Sequence, residues 1–318
     1  MNFSKKAPAI SCRGFSDTTI KYFNGKRMTD PQNKAAALKC WKTKITPSPL
    51  SGGITNSNFV VEENGEKFVA RIGADIPVHC ILRANELAIS IAAFKAGVSP
   101  EVYHHEPGAI VIRWVKGKTL TPTDIQNKKT LVRILETIKR CHHEIPRHLK
   151  GVSPLFWVFQ VIRDYAGTLQ KDKSRMIDKL PELMGRAQIL ESIVGPTELI
   201  FGHNDLLAAN FIDSGNKMWL IDWDYGGFNS PLFDLGGLAS NNELSREQES
   251  WLLEAYFEKP VTDKLHRRYS AMKCASLLRE TMWSMVSEIH SPLHFDFVAY
   301  TRKNQNRFER AWNDFNQL

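Results

Sequence analysis

Three oxygen-bearing side chains stand at intervals suited to handling a metal-bound phosphate. Asp205 and Asn210 lie in His203-Asn204-Asp205-Leu206-Leu207-Ala208-Ala209-Asn210, and Asp222 follows in Leu220-Ile221-Asp222-Trp223-Asp224-Tyr225. Moving a phosphoryl group onto a hydroxyl requires a carboxylate beside the attacking oxygen and hard oxygen ligands for Mg²⁺. In a tight loop, Asp205 would orient the hydroxyl and accept its proton, while Asn210 turns its amide oxygen to the metal. A short apolar strand would carry Asp222 to the same cleft, where its carboxylate can bridge the metal to the β- and γ-phosphates. Any one of these residues alone reads as a loop carboxylate. The set of three carries the chemistry.

Elements on both sides must bring these groups together. Between Asn210 and Asp222, residues 211–213 and 217–221 flank the turn Ser214-Gly215-Asn216 and form a short hairpin. Upstream, 58–63 and 66–72 read as strands joined by Asn64-Gly65, the strongest short hairpin signal. A second hairpin turns at Pro107-Gly108, with 109–115 as its second strand. Asp30-Pro31 reads as an N-cap followed by proline at the first helical position, opening a helix through Trp41. Residues 79–96 carry a helical pattern ending at Gly97. From 123 onward helices are expected over 123–143, 153–170, 172–193, 245–258, 262–289 and 295–315. The sum is an α+β, bilobal arrangement. An N-terminal nucleotide-binding lobe would span 1–116, with 1–28 a polar arm, and a helical catalytic lobe 117–318.

Composition narrows the class. The 42% apolar and 24% charged content is ordinary for a globular chain. The net charge of +8 is scattered in pairs such as Lys128-Lys129 and Arg267-Arg268, without the basic stripe of a nucleic-acid platform. Five widely spaced cysteines form no disulfide framework and no zinc-binding pair. Cys141-His142-His143 reads as a polar helix terminus rather than a metal site. The start lacks the apolar run of a secretory signal, and no stretch reaches membrane-spanning length. A cytoplasmic monomer or homodimer is expected, with no nucleic-acid or membrane partner.

The motif His-x-Asp, four residues and Asn, then Ile-Asp-Trp-Asp-Tyr resembles the catalytic core of the choline/ethanolamine kinases and aminoglycoside phosphotransferases, from about residue 35 to the C terminus. The resemblance implies a protein-kinase-like fold and an ATP- and Mg²⁺-dependent transfer to a small alcohol. It makes Asp205 the catalytic base, and Asn210 and Asp222 the Mg²⁺ ligands. His203 would prop the loop by hydrogen bonding. Ser51-Gly52-Gly53-Ile54-Thr55-Asn56 fits a loop folded over phosphates, with Ser51, Gly52, Gly53, Thr55 and Asn56 near the nucleotide, although a plain hairpin turn has the same residues. Arg71 stands where protein kinases carry their phosphate-contacting lysine. Glu86 is either its ion-pair partner or a solvated helix-face glutamate. Arg113-Trp114-Val115-Lys116-Gly117 is the implied hinge, with Trp114 and Val115 offering backbone groups to adenine and Gly117 permitting the turn. From the residues alone it is equally a strand end.

The acceptor alcohol is less sharply marked. Aromatic faces hold ammonium groups, and the resemblance places Trp283 and Tyr300 in a choline-type pocket. Asp224 and Tyr225 are expected to assist at the metal or the substrate. Choline is the first expected acceptor and ethanolamine the second; Glu280 stands where the animal enzymes have a tryptophan, and, able to attract a cation or accept from a primary ammonium, it weakens choline against ethanolamine or another amino alcohol. An aminoglycoside or thiamine phosphotransferase is the alternative within the class, and a pseudokinase binding module the alternative outside it. A protein kinase is disfavoured, because Asp222 is followed by Trp-Asp instead of Phe-Gly and no Ala-Pro-Glu segment follows.

Overall fold

The computed structural model describes residues 22–23, 26–27, 30–52 and 55–318. Within the expected polar arm it describes only the paired strands β1 (Tyr22–Phe23) and β2 (Lys26–Arg27); the rest of that arm, and Gly53, lie outside the described residues.

The N-terminal sheet is built from local turn chemistry. Strands β3 (Ser48–Leu50), β4 (Ser57–Glu63), β5 (Glu66–Ile72), β6 (Val102–Glu106) and β7 (Ala109–Arg113) pair antiparallel in the order β3-β4-β5-β7-β6. Asn64 and Gly65 both take positive φ, 52° and 81°, the pair of angles that matches strand twist in a two-residue hairpin. Phe59, Val61, Phe68 and Ala70 bury one face against Ala35 and Leu38. Helix α1 (Pro31–Ala36) begins at the expected Asp30 cap but ends well before Trp41. The reason is Trp41 itself, whose indole donates to the Ala35 carbonyl at 2.8 Å and whose ring packs on Phe68. Helix α2 (Arg83–Lys95) starts later than expected, because Cys80 adopts a left-handed conformation after a 3₁₀ turn.

The C-terminal part is mostly helical. The single helix expected over 123–143 is two, α3 (Pro122–Gln126) and α4 (Lys128–Glu144), split by extended Asn127, whose side chain caps α4. The remaining helices are α5 (Val158–Lys171), α6 (Leu180–Val194), α7 (Pro231–Asn241), α8 (Arg246–Phe257), α9 (Asp263–His290) and α10 (Phe297–Asn316). Helix α9 is the central one, with α5, α6, α7 and α10 packed around it. The expected hairpin is present as β10 (Phe211–Asp213) and β11 (Met218–Leu220), and β8 (Lys118–Thr119) adds a third strand. Strand β9 (Ile200–Gly202) pairs with β12 (Gly227–Asn229). No helix among the described residues is long and apolar enough to cross a membrane.

Two hydrophobic cores result, and their division cuts across the chain order. The sheet and α1 enclose the smaller one, whereas Ile89, Ala92 and Ala93 of α2 join the larger helical core. Hydrogen bonds fix this junction. Leu220 donates its amide to the Val98 carbonyl at 3.1 Å, the Ser99 hydroxyl donates to the Leu220 carbonyl, and the Trp223 indole donates to Ser99 Oγ at 2.7 Å. The strand leading to Asp222 is thereby tied to the segment after α2.

The linker at Gly117 is constrained by contact rather than by a left-handed turn. A Cβ there would meet the Asp213 carbonyl oxygen at 2.6 Å and Ile212 Cγ2 at 2.8 Å. Asp213 cannot give way, because both its carboxylate oxygens are forked by Arg133 at 2.6 and 2.9 Å. Gly117→Ala should therefore cost about 1–3 kcal/mol of overpacking, seen as a lowered Tm in calorimetry. An unchanged Tm would mean that the linker is free to move away.

Candidate active site

The loop holding Asp205 and Asn210 runs from β9 to β10, and its shape is imposed by a buried carboxylate. Asp234, in the first turn of α7, accepts the backbone N–H groups of His203 at 2.8 Å and Asn204 at 2.7 Å. It also meets His142 Nε2 at 3.0 Å, and His142 Nδ1 meets the Tyr256 hydroxyl at 2.8 Å. Burial alone would raise Asp234, but His142 and the two amides hold it below the usual carboxylate range. His142, in the last turn of α4 as expected of a helix terminus, is buried beneath the loop.

Further bonds close the loop. Asn204, at φ 65°, donates from Nδ2 to the carbonyls of Tyr225 at 2.9 Å and Gly227 at 3.2 Å. His203 Nε2 meets the Ile221 carbonyl at 3.0 Å, and its ring packs on Trp223. Asn210 donates from Nδ2 to the Asp205 carbonyl at 2.8 Å, while its own carbonyl accepts the Ile221 amide at 3.0 Å. Asn210 and Asp222 are therefore brought to one place, as their spacing suggested. The amide oxygen of Asn210 stays clear of these bonds.

Above the loop lies a network of two arginines and three carboxylates. Arg71 bonds Glu86 through Nε at 2.9 Å and Asp222 through Nη2 at 2.9 Å. Asp222 sits at φ 73°, a left-handed conformation uncommon for aspartate and found at functional sites. Burial would raise its pKa, but Arg71 reverses the effect and holds it low. Asp224, expected beside the substrate, is turned into this network instead. It accepts from Arg83 at 2.7 Å and from the Thr55 hydroxyl at 2.5 Å, with Arg71 at 3.5 Å. Burial, with Asp222 and Glu86 nearby, pushes its pKa up to about 6. Arg83 also bonds Glu86 at 2.6 Å and the Thr55 carbonyl at 3.0 Å. Nothing in its sequence setting, the first turn of a helix, marks Arg83 for this role.

Asp205 faces a different environment. Burial pushes its pKa up to about 8; Glu280, Asp222 and Asp224 add to the rise, and Arg279 opposes it. A raised carboxylate beside a cluster of like charge is suited to accepting a proton near neutrality. On its far side, Tyr225, Glu280, Trp283 and Tyr300 do gather. Trp283 donates its indole N–H to the Tyr225 hydroxyl at 2.8 Å, and Tyr300 donates to Glu280 at 2.8 Å. Trp283 is buried with its ring stacked on His79, so it forms a wall rather than an open face.

The nucleotide side is more mixed. Ser51 and Gly52 are exposed, Gly52 at φ 112°. Thr55 is fastened to Asp224, and Asn56 packs against Gly73. The amide of Trp114, expected to serve adenine, is spent on the Lys67 carbonyl at 3.0 Å, because sheet pairing continues one residue past β7. Val115, beyond that bond, is the hinge residue whose amide the sheet does not use.

Residues 48–251 match the family model for choline/ethanolamine kinases. This chain belongs to the choline/ethanolamine kinase family. Protein LicA of Haemophilus influenzae is 27% identical over 259 residues, covering 77% of this chain and 94% of that protein. A probable ethanolamine kinase of Arabidopsis thaliana is 25% identical, covering 82% and 78%. The crystal structure of a choline/ethanolamine kinase family protein from Mesorhizobium loti matches with TM-score 0.72 and 27% identity, covering 88% of this chain and 92% of that one. The bilobal architecture is accordingly protein-kinase-like, and the chain is a kinase that uses ATP.

Within this family member the loop scaffold is open to direct test. Asp234→Ala would leave two buried amides and His142 without their acceptor, at a cost of about 3–5 kcal/mol. Denaturant unfolding should show the midpoint falling accordingly. A loss below about 1 kcal/mol would show that the loop holds its shape without Asp234.

Proposed function

We propose that this kinase transfers the γ-phosphoryl group of Mg·ATP to the hydroxyl of a small amino alcohol of the choline and ethanolamine class. The observation that carries the reading is the position of Asp205. On one side it borders the Arg71–Asp222 pair, on the other the group formed by Tyr225, Glu280, Trp283 and Tyr300. A hydroxyl beside Asp205 would sit between a phosphate site and an anionic, aromatic-walled pocket suited to an ammonium group. Family membership and the ethanolamine kinase relative support the same substrate class.

The donors present fit Mg²⁺. Asn210 keeps its amide oxygen free, and Asp222 has one oxygen on Arg71 and the other uncommitted among the described residues. Mg²⁺ prefers hard oxygen ligands and takes few from protein, drawing the rest from phosphate and water. When bound, the ion would neutralise charge on the transferring group. Arg71, held by Glu86, would release Asp222 to the metal and turn toward phosphate, its planar fork matching phosphate oxygens. The loop bearing Gly52 and Thr55 would cover the phosphates, and Val115, whose amide the sheet does not use, would serve the base. Asp205 orients the acceptor hydroxyl and takes its proton. A cytoplasmic setting, where ATP is supplied, fits this reading.

Choline, ethanolamine, thiamine and several aminoglycosides should be compared by coupled ADP-release assay; turnover confined to the last two would replace this reading with the alternative. Because Asp205 must be unprotonated to act, kcat/KM should fall about tenfold per pH unit below a limb near the free-enzyme value of about 8. Bound metal and ammonium favour the carboxylate, so the matching limb in kcat should lie at lower pH. Asp205→Asn should remove both limb and turnover while nucleotide binding survives; a variant with wild-type kcat would contradict the assignment. Asp222→Ala should instead weaken Mg·ATP, read as loss of affinity in titration calorimetry when Mg²⁺ is present, and equal affinity with and without the substitution would count against it.

A further inference from the structure

We infer, resting on the amino-alcohol reading above, that His79 is a positioning residue whose ring fixes the acceptor wall and ties it to the nucleotide-side network, so that the two substrates bind cooperatively. His79 ends the 3₁₀ turn Pro77–His79 between β5 and α2 and is only 5% exposed. Its ring stacks on Trp283, with centroids 4.9 Å apart and planes 29° from parallel. Nε2 meets the Ser287 hydroxyl at 3.0 Å and Nδ1 the Tyr165 hydroxyl at 3.4 Å. Both ring nitrogens are engaged, so the ring cannot turn without breaking these contacts. Burial, with Arg279 and His290 nearby, pushes its pKa down to about 3. The imidazole is therefore neutral near physiological pH and acts by packing, not by proton transfer.

The turn that carries His79 is stiff. Ile76 and Ile81 exchange both backbone hydrogen bonds, at 2.9 and 3.2 Å, and Ile81 is fully buried. Just beyond it, the Arg83 amide donates to Asp75 Oδ1 at 2.7 Å and Arg83 Nε donates to the Ala74 carbonyl at 2.9 Å. His79 and Arg83 thus belong to one rigid piece. From there Arg83 reaches Asp224 at 2.7 Å. Tyr225 is next in the chain, its hydroxyl accepts the Trp283 indole N–H at 2.8 Å, and Trp283 lies on His79. The contacts close into a ring running from His79 through Arg83, Asp224, Tyr225 and Trp283 back to His79. One side of that ring is the acceptor wall. The other is the network in which Arg83 and Arg71 share Glu86. A ligand that orders one side takes freedom from the other, and the second ligand has less ordering left to do.

Titration calorimetry of the wild-type enzyme with Mg·AMP-PNP, alone and with saturating ethanolamine or choline, tests the coupling without relying on any variant to fold. Nucleotide affinity should rise at least about fivefold when the amino alcohol is present, and by linkage the amino alcohol should gain the same factor from bound nucleotide. His79→Ala removes the stacked ring. Its KM for the amino alcohol should rise about three- to tenfold, and the gain in nucleotide affinity should vanish. That second effect separates coupling from local packing, because the contacts of His79 are with Trp283, Ser287 and Tyr165, none of them in the nucleotide-side network. A wild-type enzyme that phosphorylates ethanolamine or choline, yet binds nucleotide equally with and without them, overturns the inference and leaves the amino-alcohol reading standing. So does a His79→Ala enzyme that keeps the full gain. Failure of both amino alcohols to bind or react, with AMP-PNP still bound, overturns both.

Discussion

One buried carboxylate sets the terms for the catalytic loop. Asp234 takes two consecutive backbone amides from the segment that carries Asp205, and it stays ionised in the interior because His142 and those amides surround it. A loop held only by its own turns would leave Asp205 free to relax into solvent. Anchored from below by α7, it presents Asp205 at the recess and Asn210, the proposed Mg²⁺ ligand, together. The loop bond from Asn210 to the Asp205 carbonyl makes those two placements one event. Such fixed positioning is where much of the rate of a phosphoryl transfer resides.

Charge balance explains the layer above. Asp222, Asp224 and Glu86 are all recessed, and three carboxylates so close would not remain ionised unaided. Two arginines are present and shared: Arg71 meets all three, and Arg83 meets Asp224 and Glu86. The result is asymmetric. Asp222, bonded by Arg71, is held low, as the proposed metal ligand would need, whereas Asp224 is raised to about 6. Arg83 also grips the Thr55 carbonyl, so the segment after Gly52 and the one carrying Asp222 and Asp224 are fastened through the same cation.

What the sequence made legible follows from the range of the interactions involved. The shared placement of Asp205, Asn210 and Asp222 was legible because one loop and one hairpin fix their relative positions, and Asn64-Gly65 could be read because its turn is decided by two residues. The contacts of Asp234 and Arg83 could not, since they are made largely with groups far away in the chain. Helix α7 was hidden for a related reason. It is apolar on every side and carries Gly236 and Gly237, poor helix formers, yet a Cβ at Gly236 would meet Lys273 Cα at 2.9 Å. Close packing against α9 outweighs propensity there. The Trp114 amide is set on the same ground: strand pairing to Lys67, not residue type, decides where it points, leaving the Trp114 carbonyl for the expected adenine contact.

The two sides of Asp205 therefore differ in how firmly the fold commits them. On the nucleotide side Arg71, Arg83, Glu86, Asp222 and Asp224 each have a partner of opposite sign, and in the function proposed above a phosphate oxygen would take the place that one Asp222 oxygen now holds on Arg71. On the acceptor side Glu280 is engaged twice, by Tyr300 and by Arg279. Beside it Asp205 is held high mainly by burial, so under the proposed function an ammonium group entering next to Asp205 and Glu280 would favour the ionised carboxylate.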